Sequence, residues 1–207
     1  TSLVTAQERY YSILNTPADE TMLITLDGEE GSRNELYSRS GAMVSRANFE
    51  FQDERGGRAD QENVIRNTSA GAYYTLIRGD YVPGSFAQEL KRADDNKKKA
   101  SLSPQNVTIK AELLPFTIRN ISPAVAGNSG LTTVVVEGAK FKPGATIRLV
   151  GQNNTELAPV DGDNSSTRFA AMFDLKGKAA GDYDVVVRNP DNQSSTLANG
   201  IMIVSGS

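Results

Sequence analysis

Between Leu113 and Ser122 the chain reads LLPFTIRNIS, and no other stretch limits its fold as much. Pro115 has no N–H to give a strand ladder, so a strand is expected to end at Leu114 and another to open after it. In the second strand Phe116, Ile118 and Ile121 are expected to turn inward. The residues before this point read as one β-rich unit and those after it as another. The 207 residues suffice for two ordinary domains, each with a modest core that needs no metal or disulfide. The expected domains are 1–114 and 115–207, both within the β-sandwich size range.

Composition narrows the chemistry. The chain has no Cys, no His and no Trp. Zinc, haem and iron–sulfur sites of the usual ligand types are therefore excluded, as are Cys/His and Ser/His dyads. Its 22 basic and 25 acidic residues leave a formal charge of −3, without the concentrated basic surface that nucleic-acid backbones require. No apolar run reaches the length of a membrane span. The chain opens on Thr rather than Met, which suggests a processed chain or a fragment.

In the first half, Glu8 to Leu14 and Thr21 to Leu26 have the β-branched and aromatic character of strands, parted by the turn-rich NTPADE. Asp27 to Ser32 is a loop by composition. It leads to a strand over Asn34 to Arg39, with Leu36 and Tyr37 on opposite faces. Asn48 to Phe51 is expected to place Phe49 and Phe51 on one face. Gln52 to Asp60 mixes charges around Gly56-Gly57 and reads as a solvated loop. Glu62 to Arg66 and Ala72 to Gly79 are the clearest strands. In the latter, Tyr73, Thr75 and Ile77 share one face and Tyr74, Leu76 and Arg78 the other, as suits a central strand.

The succession YYSIL, MLITLDG, RNELYSRSGAMVSRANFEF, ADQENVIRNTSAGAYYTLIRGDYVPG and VTIKAELL, over about Glu8 to Leu114, resembles the bacterial pre-peptidase C-terminal domain. It departs from that pattern at Val44, where Pro is common, and in a long loop before the last strand. The resemblance implies a jelly-roll-like β-sandwich, an accessory domain of secreted bacterial proteins that often lies beside peptidases. The charged insertion 85–106 holds a capping-box pattern at Ser85 and Gln88, expected to start a short helix. It also carries a basic tip, Lys97, Lys98 and Lys99, which reads either as a partner contact or as a solvated insertion.

After Ser122 short strands recur: Leu131 to Glu137, Ala145 to Val150, a weak one near Thr155 to Ala158, Thr167 to Leu175, Asp182 to Arg188 and Gly200 to Val204. With the opening FTIRNI these make about seven, the number of an immunoglobulin-like sandwich. Ile121-Ser122-Pro123, the stretch Glu137 to Ala145 (EGAKFKPGA) and the stretch Gly181 to Asp191 (GDYDVVVRNPD) resemble the IPT/TIG immunoglobulin-like family, with Asn192 at the usual last Gly. In that pattern Gly138 would accept a bulge or positive φ, Phe141 would plug the sandwich edge, and Pro143-Gly144 would make a tight turn. The expected fold class is thus all-β, two consecutive β-sandwiches, jelly-roll-like and then immunoglobulin-like.

Carboxylates are the only general acids and bases on offer, and no catalytic residues are assigned. Oxygen ligands allow calcium. Asp27, Glu29 and Glu30 in one loop and Asp80 at the end of the central strand are the metal candidates, against the plainer reading that they are ordinary turn acids. Asp161-Gly162-Asp163-Asn164 resembles part of a calcium loop but lacks its terminal Glu, and reads as a hairpin turn. The chain is expected to be a non-catalytic, extracellular or cell-surface module pair of a larger bacterial protein, serving spacing, adhesion or surface assembly. The alternative is a polymer-binding accessory segment, for collagen or polysaccharide, of a secreted peptidase or glycoside hydrolase, with calcium as an aid. Its partners would be protein or polysaccharide surfaces and, through exposed sheet edges, other copies of itself. Neither nucleic-acid binding nor membrane insertion is expected.

Overall fold

The computed structural model describes residues 1–53, 55–83 and 104–206. The insertion, with its expected helix and Lys97, Lys98 and Lys99, lies mostly outside the described residues. Among the described residues, apart from one turn of 3-10 helix at Gln152–Asn154, every regular element is a strand. The chain divides into two compact units, Thr1–Leu113 and Leu114–Ser207.

In the first unit β1 (Ser2–Leu3) precedes β2 (Glu8–Thr16), β3 (Met22–Asp27), β4 (Arg33–Ser40), β5 (Phe51–Gln52), β6 (Gln61–Ile65), β7 (Gly71–Tyr81), β8 (Gln105–Asn106) and β9 (Thr108–Leu113). One sheet has the order β2-β7-β4-β5 and the other β6-β3-β9, while β1 pairs with β8. Period-two alternation does the sorting. Leu36, Tyr73 and Ile77 from the four-stranded sheet meet Met22, Ile24, Leu26 and Ile65 from the other in one buried core, plugged by Leu3. As its pattern predicts, β7 is central, bonded to β2 on one side and β4 on the other. Phe49 and Phe51, in contrast, do not share a face. Regular pairing begins only at Phe51, which packs on the core, whereas Phe49 turns outward onto the Tyr37 ring at 4.9 Å.

The turn before β3 is bolted from a distance. The Thr68 hydroxyl donates to the Pro17 carbonyl at 2.6 Å and accepts from the Glu20 N–H at 3.1 Å. The backbone of Thr68 exchanges two further hydrogen bonds with Asp19 and Glu20.

The second unit runs β10 (Thr117–Ser122), β11 (Val125–Gly127), β12 (Leu131–Ala139), β13 (Thr146–Val150), β14 (Glu156–Leu157), β15 (Asp161–Asn164), β16 (Arg168–Asp174), β17 (Gly181–Arg188) and β18 (Ser194–Val204). Its sheets, β10-β12-β16-β15 and β11-β18-β17-β13-β14, enclose Val134, Val136, Ile147, Leu149, Phe169, Phe173, Val185, Val187 and Ile201. Ile118 and Ile121 are three apart, a spacing that a regular strand cannot turn to one face. A register shift between Ile118 and Asn120 allows both to be buried. The Tyr183 hydroxyl donates to the Ala179 carbonyl at 3.0 Å, a corner device of immunoglobulin-like sandwiches.

Two expectations change here. Asp161–Asn164 is no hairpin turn but the edge strand β15, paired with β16 in the register Asp161↔Met172 to Asn164↔Phe169. The ladder offered by β16 overrides the turn propensity of Asp-Gly-Asp-Asn. Gly138 has no positive φ; that conformation falls on Lys140 and Gly144. Glycine is needed at 138 because a Cβ there would lie 2.1 Å from the Thr117 carbonyl oxygen and 2.4 Å from the Phe141 ring. Phe141 is buried and meets Phe116 edge-on at 6.0 Å. The turn after it is held by Asn189, whose amide accepts from the Lys142 N–H at 2.9 Å and donates to the Lys140 carbonyl at 3.0 Å.

Gly138→Ala should therefore overpack this corner and cost the second unit about 1–3 kcal/mol. Urea denaturation followed by tyrosine fluorescence measures it, and a variant as stable as the parent would show that the corner has room.

Candidate contact face and polar pocket of the first sandwich

Alternation that sends Leu36 and Ile77 inward sends their neighbours out. On the outer face of the four-stranded sheet, Tyr10, Leu76 and Tyr37 stand in one row across β2, β7 and β4, and Glu8, Arg78 and Glu35 in the next. A third row holds Ser12, Tyr74 and Arg39. Tyr10 is 48% exposed, and its hydroxyl donates to the Glu8 carboxylate at 2.9 Å. That bond, with some burial, holds the Tyr10 hydroxyl above its usual pKa. Leu76 and Val44 are buried although they belong to neither interior core, so part of this outer face is covered as well.

Charge on this face is organised around Arg78. Its Nη1 donates to Glu35 Oε2 at 3.3 Å and to Asp80 Oδ1 at 3.1 Å. Glu35 is also paired with Arg46 Nε at 3.0 Å, and Asp80 with Arg33 Nε at 3.6 Å. Arg33 in turn lies over the Tyr81 ring, 5.3 Å from its centre. Arg39 pairs with Glu50 at 3.7 Å, and Glu50 accepts from the Ser40 N–H and hydroxyl. The Ser40 bonds prevail over burial and hold Glu50 below the usual carboxylate range.

Where β5 parts from β4 the sheet opens into a polar pocket of about 150 Å³, lined by Glu35, Tyr37, Gln52, Asp53, Gly56, Gly57, Gln61 and Asp80 among others. Asp53 organises its loop. Its carboxylate accepts from the backbone N–H of Arg55 at 2.8 Å and of Glu62 at 2.7 Å, and it pairs with the Arg55 guanidinium at 3.2 Å. Only 3% of the Asp53 side chain is exposed. Burial pushes its carboxyl up, and the bonds from Arg55 and Glu62 more than offset that, so it is held below the usual carboxylate range.

Beneath this pocket runs a buried polar chain. Asn63 donates to the Ser38 hydroxyl at 3.0 Å, and Ser38 meets Thr75 at 3.2 Å. Gln105 donates to Asn34 at 2.6 Å, and Asn34 donates to the Ala59 carbonyl at 2.7 Å.

Of the metal candidates, Asp27 closes β3, Glu29 and Glu30 sit in the loop to β4, and Asp80 is near the end of β7. The Glu29 carboxylate accepts the Asn106 N–H at 2.8 Å, and its own N–H donates to Gln105 at 3.2 Å, so Glu29 docks β8. Asp80 is engaged by two guanidinium groups. Calcium takes six to eight oxygen ligands, and among the described residues no three carboxylates gather where they could hold a metal ion.

Glu35, Asp53 and Arg46 were not singled out in the sequence. A signal for the first existed: Glu35 and Arg78 are opposite charges at outward positions of two strands readable as strands. Asp53 had none, since its partners are backbone N–H groups that only the folded loop brings together.

No family model matches the chain, and no curated protein does. Among solved structures, the γ-CGTase of alkalophilic Bacillus clarkii is 14% identical at a TM-score of 0.35, covering 94% of this chain and 26% of that one. A GH2 β-galacturonidase from Eisenbergiella tayi is 12% identical at 0.37, covering 93% and 35%. A DUF4785 family protein from Legionella pneumophila is 8% identical at 0.28, covering 96% and 62%. The chain thus spans between a quarter and about a third of the length of the first two. At TM-scores this low, none of these likenesses bears on what the chain does.

Asp53→Asn should cost the first unit about 1.5–3 kcal/mol at neutral pH, as loss of charge-assisted hydrogen bonds does. Because the folded Asp53 carboxyl lies below its unfolded value near 4, its contribution is present above that value and fades as pH falls through the folded one. Denaturant melts at pH 7 and pH 3 should show the gap between parent and variant narrowing in acid. An equal gap at both would remove the charge from the account.

Proposed function

We propose that this chain is a pair of non-catalytic modules of a larger secreted or cell-surface bacterial protein, working in spacing, adhesion or surface assembly. The observation that carries this reading is the state of the acids lining the polar pocket. A catalytic acid must keep its proton near neutral pH, which takes burial away from cations. Glu35 and Asp80 instead share Arg78, each with a further arginine, and Asp53 is held ionised by Arg55 and two N–H groups. Pairing of this kind ties these side chains into surface ion pairs, as suits a contact face. On their sequence motifs we read the two units as a pre-peptidase C-terminal-like module followed by an IPT/TIG-like one.

A second reading, a polymer-binding accessory segment, is favoured by the exposed rings of Tyr10 and of Phe49, the latter stacked on Tyr37. Exposed rings beside arginines suit an extended chain laid across them.

Retention on insoluble collagen, cellulose, chitin and bacterial envelope, each with calcium and with chelator, tests both. The first reading expects retention on envelope alone, or on nothing, with the same result under chelator. Retention on one purified polymer that Tyr10→Ala weakens at least about tenfold, the scale of an aromatic hot spot, would replace it with the second.

A further inference from the structure

The inner face of the three-stranded sheet is incomplete at one end. On β9 the residues that share a face with the core are Ile109, Ala111 and Leu113, opposite Leu26, Ile24 and Met22. Ile109 packs on the core, yet Ala111 is exposed and Leu113 is 43% exposed. An apolar slot of about 140 Å³ opens here, bounded by Ile13, Leu14, Met22, Ala111 and Leu113. Among the described strands, β9 pairs on one side only, with β3.

Free strand edges invite pairing, and the other edges among the described residues are short or interrupted, β1, β5 and β8 having two residues each. The ladder of β2 with β7 shifts between Ile13 and Thr16, where Asn15 takes a positive φ. The ladder of β10 also shifts. β15 carries Asp161 and Asp163, which would repel a second β15. β11 and β14 offer three and two residues, and β6 is tied to the opposite sheet by Asn63. The ladder of β9 with β3 is regular over its whole length, six pairs without a shift, whereas that of β2 breaks at the end that borders the slot.

The sequence of β9 is complementary to itself. If two β9 strands run antiparallel about Ala111, Ile109 stands opposite Leu113 of the other copy on the inner face, and Ala111 opposite Ala111. On the outer face Lys110 stands opposite Glu112, twice over by symmetry. Within one chain these two side chains pair at 2.7 Å on the exposed surface, free to exchange partners. The two neighbouring registers with the same facing set Lys110 against Lys110 or Glu112 against Glu112, so the edge favours this one pairing with its own reverse.

We propose that β9 is a self-association edge, through which two copies of this chain join into a dimer with a continuous six-stranded sheet. Each copy covers the slot at the other's open end with Ile109 and Leu113. The proposal rests on the assembly reading above and names its partner as the chain itself.

Sedimentation equilibrium of the 207-residue chain up to about 0.1 mM, the range of weak interfaces, should give a mass approaching twice 22.2 kDa. Lys110→Glu should weaken the dimer about tenfold or more, since symmetry turns two attractions into repulsions. Adding Glu112→Lys to it should restore the parent affinity, because the swapped pair has the same complementarity. Ala111→Glu, on the symmetry axis, should weaken the dimer independently. Circular dichroism confirms the fold of each variant. A parent that stays monomeric, a dimer indifferent to Lys110→Glu, or one that the double exchange fails to restore overturns the proposal. None of these outcomes alters polymer retention, so failure here is distinct from failure of the assembly reading.

Discussion

Both units depend on side chains that reach across the chain to satisfy backbone groups in loops. With no Cys, there is no disulfide to hold the connections. Thr68 holds the turn before β3, Gln105 and Asn34 join β8 to β4 and the Ala59 loop, and Asn189 fixes the turn between β12 and β13. Each serves backbone donors or acceptors that would otherwise have to find water or remain unpaired, at about 1–3 kcal/mol apiece when buried. The sheets supply the ladders, and these bolts decide where the ladders begin and end.

The parts legible in the sequence were those governed by alternation. Tyr73, Thr75 and Ile77 against Tyr74, Leu76 and Arg78 announced a central strand with two faces, and β7 is that strand. The illegible parts depended on a partner distant in sequence. Ser2–Leu3 becomes a strand because β8 is there to meet it, and Asp161–Asn164 because β16 is. Ser194 to Asn199 joins β18 because β17 offers a ladder, although the sequence suggested a strand only from Gly200. At Gly138 the expected positive φ is absent, although the ladder shift with β10 falls beside it; the restriction comes from a ring three residues on and a carbonyl in another strand.

The same division applies to the candidate sites. The acidic loop at Asp27 to Glu30 was conspicuous as composition, yet Glu29 serves to dock β8, a role set by Asn106 and Gln105. Glu35 and Arg78 were inconspicuous singly and form the hub of the charged face once β4 and β7 lie side by side. Asp53, within what read as a solvated loop, is nearly inaccessible and holds that loop in place. A carboxylate's role here is set by the donors around it, and those donors are mostly backbone groups that a sequence does not display.

The parallel pairing of β11 with β18 has a mechanical meaning. β11 lies near the start of the second sandwich and β18 at its end, and they meet at Val125↔Met202, Ala126↔Ile203 and Gly127↔Val204. Tension carried along the backbone draws β11 toward its N-terminal end and β18 toward its C-terminal end. Parallel neighbours pulled in those directions slide along each other, so their hydrogen bonds are loaded together and do not unzip one by one. The second unit under pull would yield there only when the whole contact shears, and its length would hold until then.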